Sequence, residues 1–237
     1  MALPRINDDK PIYEVTLPTN KKTYRYRPFL VKEQRNILLA SESESTREGV
    51  MAMLNCIESW APDVKIKDMS TAEVDYIFLQ IRGKSVGEKS NLNVKCSECS
   101  TENQVSVDLT EVDISGYQEN DVFELTDKIK LKLKYPTYAD TIKNIEDIQN
   151  EETASGLIFK TLKIALHSLE VDEELIMFSD ETEEEIDGFL NSLSGDQLEK
   201  CLTFIRDLPK INYDLKFDCK KCNHKNEIKL EGFQDFF

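Results

Sequence analysis

Two stretches decide the fold: LNVKCSECSTENQVSVDL, residues 92–109, and LKFDCKKCNHKNEIKL, residues 215–230. At one constant offset, both cysteines of the first stretch meet cysteines of the second, and an asparagine after each pair coincides as well. The matched positions are Cys96 with Cys219, Cys99 with Cys222, and Asn103 with Asn226. Apolar residues alternate on both sides of each Cys-x-x-Cys, as in a strand, a turn and a second strand. The sequence therefore predicts two matching hairpins.

The paired Cys-x-x-Cys motifs predict one structural Zn²⁺ site formed by Cys96, Cys99, Cys219 and Cys222. Two thiolates in a tight turn can bind one metal, and two such turns complete a tetrahedral four-cysteine site. Two disulfides or free thiols are the alternatives, and His224 could replace one cysteine as a ligand. Four thiolates leave no open position for water, so a catalytic zinc is not expected.

The hairpins divide the chain into regions, although residues 100–218 separate the two pairs by more than the usual ribbon spacing. We predict an α+β fold, with a helical body, short β-hairpins and a split zinc ribbon bracketing a helical insert. The regions are an N-terminal hairpin with helices (1–91), the split ribbon (92–110 and 212–231), a mainly helical insert (111–211) and an aromatic tail (232–237).

Inside the insert, alternating apolar residues predict strands at Asp121–Leu125 and Ile129–Tyr135. The segment Ala154–Leu169 is apolar almost all round, which predicts a buried central helix. A capping box at Ser194 predicts the start of the last helix of the insert.

Candidate partner contacts lie at the two ends of the chain. A hairpin is predicted from Tyr13–Leu17 and Thr23–Phe29, and its exit is basic; either this face is simply solvated or it contacts an acidic partner. Three phenylalanines stand at the C-terminus, where they fold back on the core or dock into a partner. The candidate contacts are Arg25, Arg27, Phe29, Phe233, Phe236 and Phe237.

Net charge, apolar runs and cysteine content indicate which classes of partner and which cellular compartment to expect. The net charge is −15, which argues against broad contact with phosphate backbones and favours protein partners. No apolar run approaches the roughly 18 residues of a membrane span, and the first residues lack a signal-peptide core. We therefore expect a reducing cytoplasm, in which six cysteines serve metal binding or the core.

Motifs for catalysis are missing from the sequence. It has two histidines and no glycine-rich cofactor loop, and Gly83-Lys84-Ser85 is not a phosphate loop because Phe78 stands where that motif requires glycine. We expect neither an enzyme nor a small-molecule substrate.

Several segments resemble T-even-type (myovirus) bacteriophage baseplate proteins, specifically the small baseplate hub subunit. The most specific is RPFLVKEQ at Arg27–Gln34; the others are Met1–Pro4, Tyr13–Pro18, Lys84–Glu88 and Leu133–Tyr138. The resemblance implies a component of the contractile-tail hub or of its assembly pathway, with other baseplate proteins as partners. It implies no catalytic residues, and the acidic segment 170–187 and the tail have no match in it.

Three hypotheses follow. The chain is a structural hub subunit in the virion, an assembly factor that acts in the host cytoplasm and leaves, or a zinc-ribbon adaptor for nucleic acid or transcription. Acidic charge disfavours the adaptor, for which only Lys220, Lys221 and Lys225 speak.

Overall fold

A computed structural model describes residues 11–41, 54–117, 121–151, 153–172 and 174–236. The strands are β1 (Tyr13–Thr16), β2 (Thr23–Tyr26), β3 (Lys89–Lys95), β4 (Glu102–Asp108), β5 (Asp113–Ser115), β6 (Val122–Thr126), β7 (Ile129–Leu133), β8 (Leu166–Val171), β9 (Glu174–Met177), β10 (Lys210–Asp218) and β11 (Lys225–Glu231).

The helices lie between these strands. They are α1 (Val31–Ser41), α2 (including 54–60), α3 (Thr71–Val86), α4 (Tyr138–Lys143), α5 (Ile145–Gln149), α6 (Ala154–Ala165), α7 (Glu183–Ser192) and α8 (Gly195–Arg206). Helices and small antiparallel sheets together confirm the predicted α+β class.

The chain divides into two compact units, one formed by Met1–Ser115 with Lys210–Phe237 and the other by Gly116–Pro209. The chain leaves the first unit at the end of β5 and returns at the start of β10, and these strands pair antiparallel with Ser115 opposite Lys210. The second unit opens on Gly116, whose φ of 92° and tight approach to the Asp207 carbonyl leave no room for a side chain.

In the first unit, the turn between β1 and β2 is tied to the start of α3. Ser70 caps α3 in a capping box with Glu73, and Thr19 Oγ1 donates to Glu73 Oε1 at 2.6 Å. The two Cys-x-x-Cys hairpins are β3–β4 and β10–β11, and β5 pairs with the outer side of β10. Both predicted cysteine hairpins and the N-terminal hairpin are confirmed.

The core of the first unit joins the sheets to α3 and the tail. Its fully buried members include Leu79, Val107 and Leu109, and Phe236 belongs to the same cluster with 0% exposure. A 3₁₀ turn, Phe233–Phe236, brings the tail back onto this core. For Phe236, the structure shows the fold-back alternative, with a side chain that is fully buried in the first unit.

The second unit is built on an antiparallel sheet in the order β6-β7-β8-β9. The β6–β7 hairpin was predicted, whereas the expected helix Ala154–Leu169 was extended too far. The helix ends at Ala165, and Leu166 enters β8 with extended dihedrals because Leu169 pairs with Leu131 of β7. The insert, expected to be mainly helical, thus contains a four-stranded sheet beside its helices.

The core of the second unit lies between this sheet and its helices, with Leu131, Leu162 and Phe204 at most 1% exposed. Among the described residues, the helices are too short or too polar to span a bilayer.

Candidate metal centre

The first cysteine turn is a tight knuckle between β3 and β4. Lys95 and Glu102 are the last paired positions before it, and the Cys96 N–H donates to the Thr101 carbonyl at 2.9 Å. The Ser100 N–H donates back to the Cys96 carbonyl at 2.9 Å, with Ser100 in the left-handed region at φ 54°. These bonds close a tight turn that contains Cys96 and Cys99, whose sulfurs lie within 4.8 Å of each other.

The second turn repeats this geometry. The Cys219 N–H donates to the His224 carbonyl at 2.9 Å, and the Asn223 N–H donates to the Cys219 carbonyl at 2.9 Å. Asn223 takes the left-handed conformation at φ 56°, as Ser100 does in the first knuckle. The repeat seen in the sequence is therefore also a repeat of the backbone.

The four cysteine sulfurs meet in one cluster, all within 4.8 Å of one another. Two close pairs cross between the hairpins: Cys96 Sγ lies 3.7 Å from Cys222 Sγ, and Cys99 Sγ lies 3.6 Å from Cys219 Sγ. A disulfide requires about 2.05 Å, whereas tetrahedral bonds of about 2.3 Å to one zinc ion would place the sulfurs about 3.8 Å apart. The cluster fits a single tetrahedral metal ion and not two disulfides.

The four cysteines of the cluster differ in exposure. Cys96 and Cys219, the first cysteine of each knuckle, are 2% and 1% exposed, whereas Cys222 is exposed. His224 contributes its backbone carbonyl to the turn, and its exposed side chain is not part of the cluster.

Backbone N–H groups favour the thiolate form of the two buried cysteines, Cys96 and Cys219. Backbone N–H groups of Cys222 and Lys221 lower the pKa of Cys219 to about 6, and the N–H of Cys99 lowers the pKa of Cys96. The His224 backbone lowers the pKa of Cys222, but desolvation and the three neighbouring thiols outweigh it and raise that pKa to about 12. Because metals bind thiolates, the lowered pKa values of Cys96 and Cys219 favour the form that would bind a metal ion.

Two further cysteines lie outside the cluster. Cys56 and Cys201 are buried, and burial raises the pKa of the Cys201 thiol to about 11, as expected for an inert core cysteine.

Among the candidate partner contacts, Arg27 is half-buried and forms an ion pair within the first unit. Its guanidinium donates to both oxygens of Glu33, with Nη1–Oε2 at 3.0 Å and Nη2–Oε1 at 2.7 Å. The Leu30 N–H also donates to Glu33 at 2.7 Å, which closes the start of α1. Arg27 therefore joins the hairpin to α1, and its side chain keeps 23% exposure.

Phe29 and Arg25 have different surroundings. The Phe29 ring packs on Trp60 with centroids 5.2 Å apart, and its N–H donates to Ser85 Oγ at 3.0 Å. Arg25 projects into solvent, with an exposed pair to Glu14 at 3.4 Å. Of the N-terminal candidates, Arg25 keeps an exposed cationic head.

The tail candidates end the chain. Phe236 is buried, as described above, and its carbonyl accepts a hydrogen bond from Ser90 Oγ at 2.9 Å. The backbone of Phe233 begins the terminal 3₁₀ turn, and Phe237 lies outside the described residues.

Lys220, Lys221 and Lys225 surround the second knuckle and are exposed. In the part of the chain that the structure describes, none of them forms an ion pair with a carboxylate. The adaptor hypothesis depends on these three cations, and a salt-sensitive shift with DNA or RNA would support it.

The sequence repeat pairs Asn103 with Asn226 without indicating a role for them, and it gives no sign of the contacts of Glu33. Both asparagines are buried beside the cysteine cluster, and Glu33 is 6% exposed beneath Arg27. A buried polar residue at a matching position of both repeats was the available signal for the asparagines. No local pattern marked Glu33.

Comparison with known proteins gives two matches. The family model described as "T4 bacteriophage base plate protein" matches residues 10–237. The baseplate hub assembly protein gp26 of Enterobacteria phage T4 is 20% identical over 229 residues, which cover 95% of this chain and 97% of that protein. No solved structure matches the chain.

Proposed function

Because this chain belongs to the family of T4 bacteriophage baseplate proteins, we propose that it is a structural subunit of the hub region of a contractile-tail baseplate, located in the phage tail. The observation that carries the proposal is the family match over residues 10–237, with a hub relative aligned over nearly the full length of both chains. The subunit works by binding other baseplate proteins and performs no reaction.

The cysteine cluster binds one structural zinc ion in this proposal. Sulfur distances of 3.6 and 3.7 Å suit a tetrahedral thiolate site, and four protein ligands leave no place for a substrate. A two-stranded hairpin is only marginally stable by itself. Zinc therefore joins β3–β4 to β10–β11 and holds the two distant parts of the first unit together.

The partner surface in this proposal is the exposed basic side of the N-terminal hairpin and α1. Arg25 is exposed on β2, and Val31 (82% exposed) and Lys32 lie in the first turn of α1. An exposed apolar residue next to a lysine suits an acidic protein surface. The Arg27–Glu33 ion pair joins the end of the hairpin to the start of α1 beside these residues.

Charge reversal tests the surface. A variant carrying Arg25→Glu and Lys32→Glu is expected to enter baseplates poorly, while Lys67→Glu with Lys200→Glu, at exposed positions elsewhere, is the matched control. Equal incorporation of both variants would contradict a partner contact at Arg25 and Lys32.

A second candidate is an assembly factor that builds the hub in the host cytoplasm and is absent from the finished virion. The observation in its favour is the name of the relative, which describes hub assembly. The same contacts with baseplate proteins would serve a structural subunit or an assembly factor. The two roles differ in whether the chain remains in the finished virion.

Quantitative mass spectrometry of washed virions separates the two candidates. A structural subunit is present in a small fixed copy number that matches the symmetry of the tail. Absence from virions, with abundance in lysates of infected cells, would replace the structural role with the assembly factor.

A further inference from the structure

Asn103 and Asn226 occupy the same position of the two repeats and are 4% and 3% exposed. Each belongs to one hairpin but reaches the knuckle of the other. Asn103 Nδ2 lies 3.7 Å from Cys219 Sγ, and Asn103 Oδ1 accepts the Lys220 N–H at 2.9 Å.

The contacts of Asn226 mirror this arrangement. Its Nδ2 lies 3.6 Å from Cys96 Sγ, and its Oδ1 accepts the Ser97 N–H at 2.9 Å. The Ser97 hydroxyl adds a bond to Oδ1 at 3.0 Å. Each side chain thus holds both the first cysteine and the following backbone N–H of the opposite knuckle.

A third contact fixes the orientation of each amide. Asn103 Nδ2 also donates to the Thr101 carbonyl at 2.8 Å, and Asn226 Nδ2 donates to the His224 carbonyl at 3.0 Å. Only an amide supplies a donor and an acceptor at these places: a carboxylate has no N–H for sulfur, and an apolar side chain would leave the Ser97 and Lys220 N–H groups unpaired.

We infer that Asn103 and Asn226 are reciprocal positioning residues that hold Cys96 and Cys219 in place and slow the release of the bound metal. This rests on the metal site of the proposed function. The two sulfurs they contact are the buried ones, and an N–H donor stabilises the negative charge that a metal-bound thiolate carries. The asparagines therefore fix the buried half of the site, while Cys222 closes it from the exposed side.

The test loads the full-length chain with Co²⁺, whose thiolate charge-transfer band reports on the sulfurs. Asn103→Asp and Asn226→Asp keep an oxygen acceptor for the opposite backbone N–H but lose the N–H donated to sulfur. The matched control is Asn93→Asp, the same substitution at an exposed position of β3.

Each Asp variant is expected to release Co²⁺ to excess chelator about 10- to 100-fold faster than wild type. Its charge-transfer band should also move to longer wavelength, a change that general loss of stability would not produce. The repeat predicts effects of similar size at both positions, and Asn93→Asp should behave as wild type.

Wild-type release rates and spectra in both Asp variants would overturn the inference and leave the metal site standing. A wild-type chain that binds no Co²⁺ would overturn the inference and the metal site together. If the variants do not fold, hydrogen exchange in the loaded wild type decides: slow exchange of the Ser97 and Lys220 amides supports the clamp, and exchange as fast as in an unstructured peptide contradicts it.

Discussion

Ser115 and Lys210 face each other across β5 and β10, although residues 116–209 lie between them in the chain. The whole second unit is therefore inserted where a β-hairpin could turn. The two cysteine pairs are distant in sequence because of this insertion, and they are close in space because β10 continues the first unit.

Replacing residues 116–209 with a two-residue Asn-Gly turn should leave the first unit folded and able to bind one metal ion. An Asn-Gly turn suits a tight antiparallel connection. Among the described residues, the core cluster around α3 and the cysteine hairpins is formed by positions outside the deleted segment. Circular dichroism and metal stoichiometry of the shortened chain measure this. A shortened chain that neither folds nor binds metal would show that the second unit is required.

Cys96→Ser or Cys222→Ser should unfold the region around the two hairpins. The expected loss in the free energy of unfolding is on the order of 4 kcal/mol or more, as for loss of a structural metal. Cys201→Ala removes a buried thiol outside the cluster and serves as the control, which should retain the metal. The free energy of unfolding is measured by urea denaturation. If both serine variants are as stable as wild type, the cysteine cluster does not bind a structural metal.

Glu33 makes stability depend on pH. Desolvation alone would raise its pKa, but hydrogen bonds from Arg27 and from the Leu30 N–H lower it to about 2. A lowered pKa means that the carboxylate stabilises the fold above the unfolded-state pKa of about 4.3. That contribution is lost as pH falls from there toward about 2.

Glu33→Gln should reduce the free energy of unfolding at pH 7 by about 3 kcal/mol, since it breaks a buried pair. The difference from wild type should shrink below pH 4. Glu14→Gln is the control, because Glu14 belongs to an exposed pair and such pairs contribute less than about 1 kcal/mol. A difference that stays constant down to pH 2.5 would contradict the assigned pKa.

Phe236 should contribute to the stability of the folded chain by itself, without any partner. Phe236→Ala removes a fully buried ring and should cost about 3–5 kcal/mol. Phe159→Ala, at a ring that is 41% exposed, is the control and should cost much less. A Phe236→Ala chain with the wild-type melting temperature would return this residue to the partner contacts.

The cysteine hairpins could be predicted because their signal is local: a chelating turn between alternating strands appears twice. The end of α6 before Leu166 could not be predicted from the sequence. Both α6 and β8 are apolar, and the helical periodicity of apolar residues continues across their junction. Pairing of Leu169 with Leu131, a contact distant in sequence, decides where the helix ends.

The contacts of Arg27 also could not be predicted from the local sequence. An arginine at the exit of a basic hairpin is typical of an exposed contact, and Glu33 six residues later looks like an ordinary first-turn residue of α1. Trp60 lies beside this pair: its carbonyl accepts the Arg27 N–H at 3.0 Å, and its ring packs against Phe29. Only the folded first unit brings these three segments together.

Metal content tests the central claim most directly. Native mass spectrometry of the purified full-length chain, with elemental analysis of the same sample, should find one zinc per chain, lost in Cys96→Ser and retained in Cys201→Ala. A folded wild-type chain that carries no zinc and takes up none would contradict the claim that this ion joins the two hairpins.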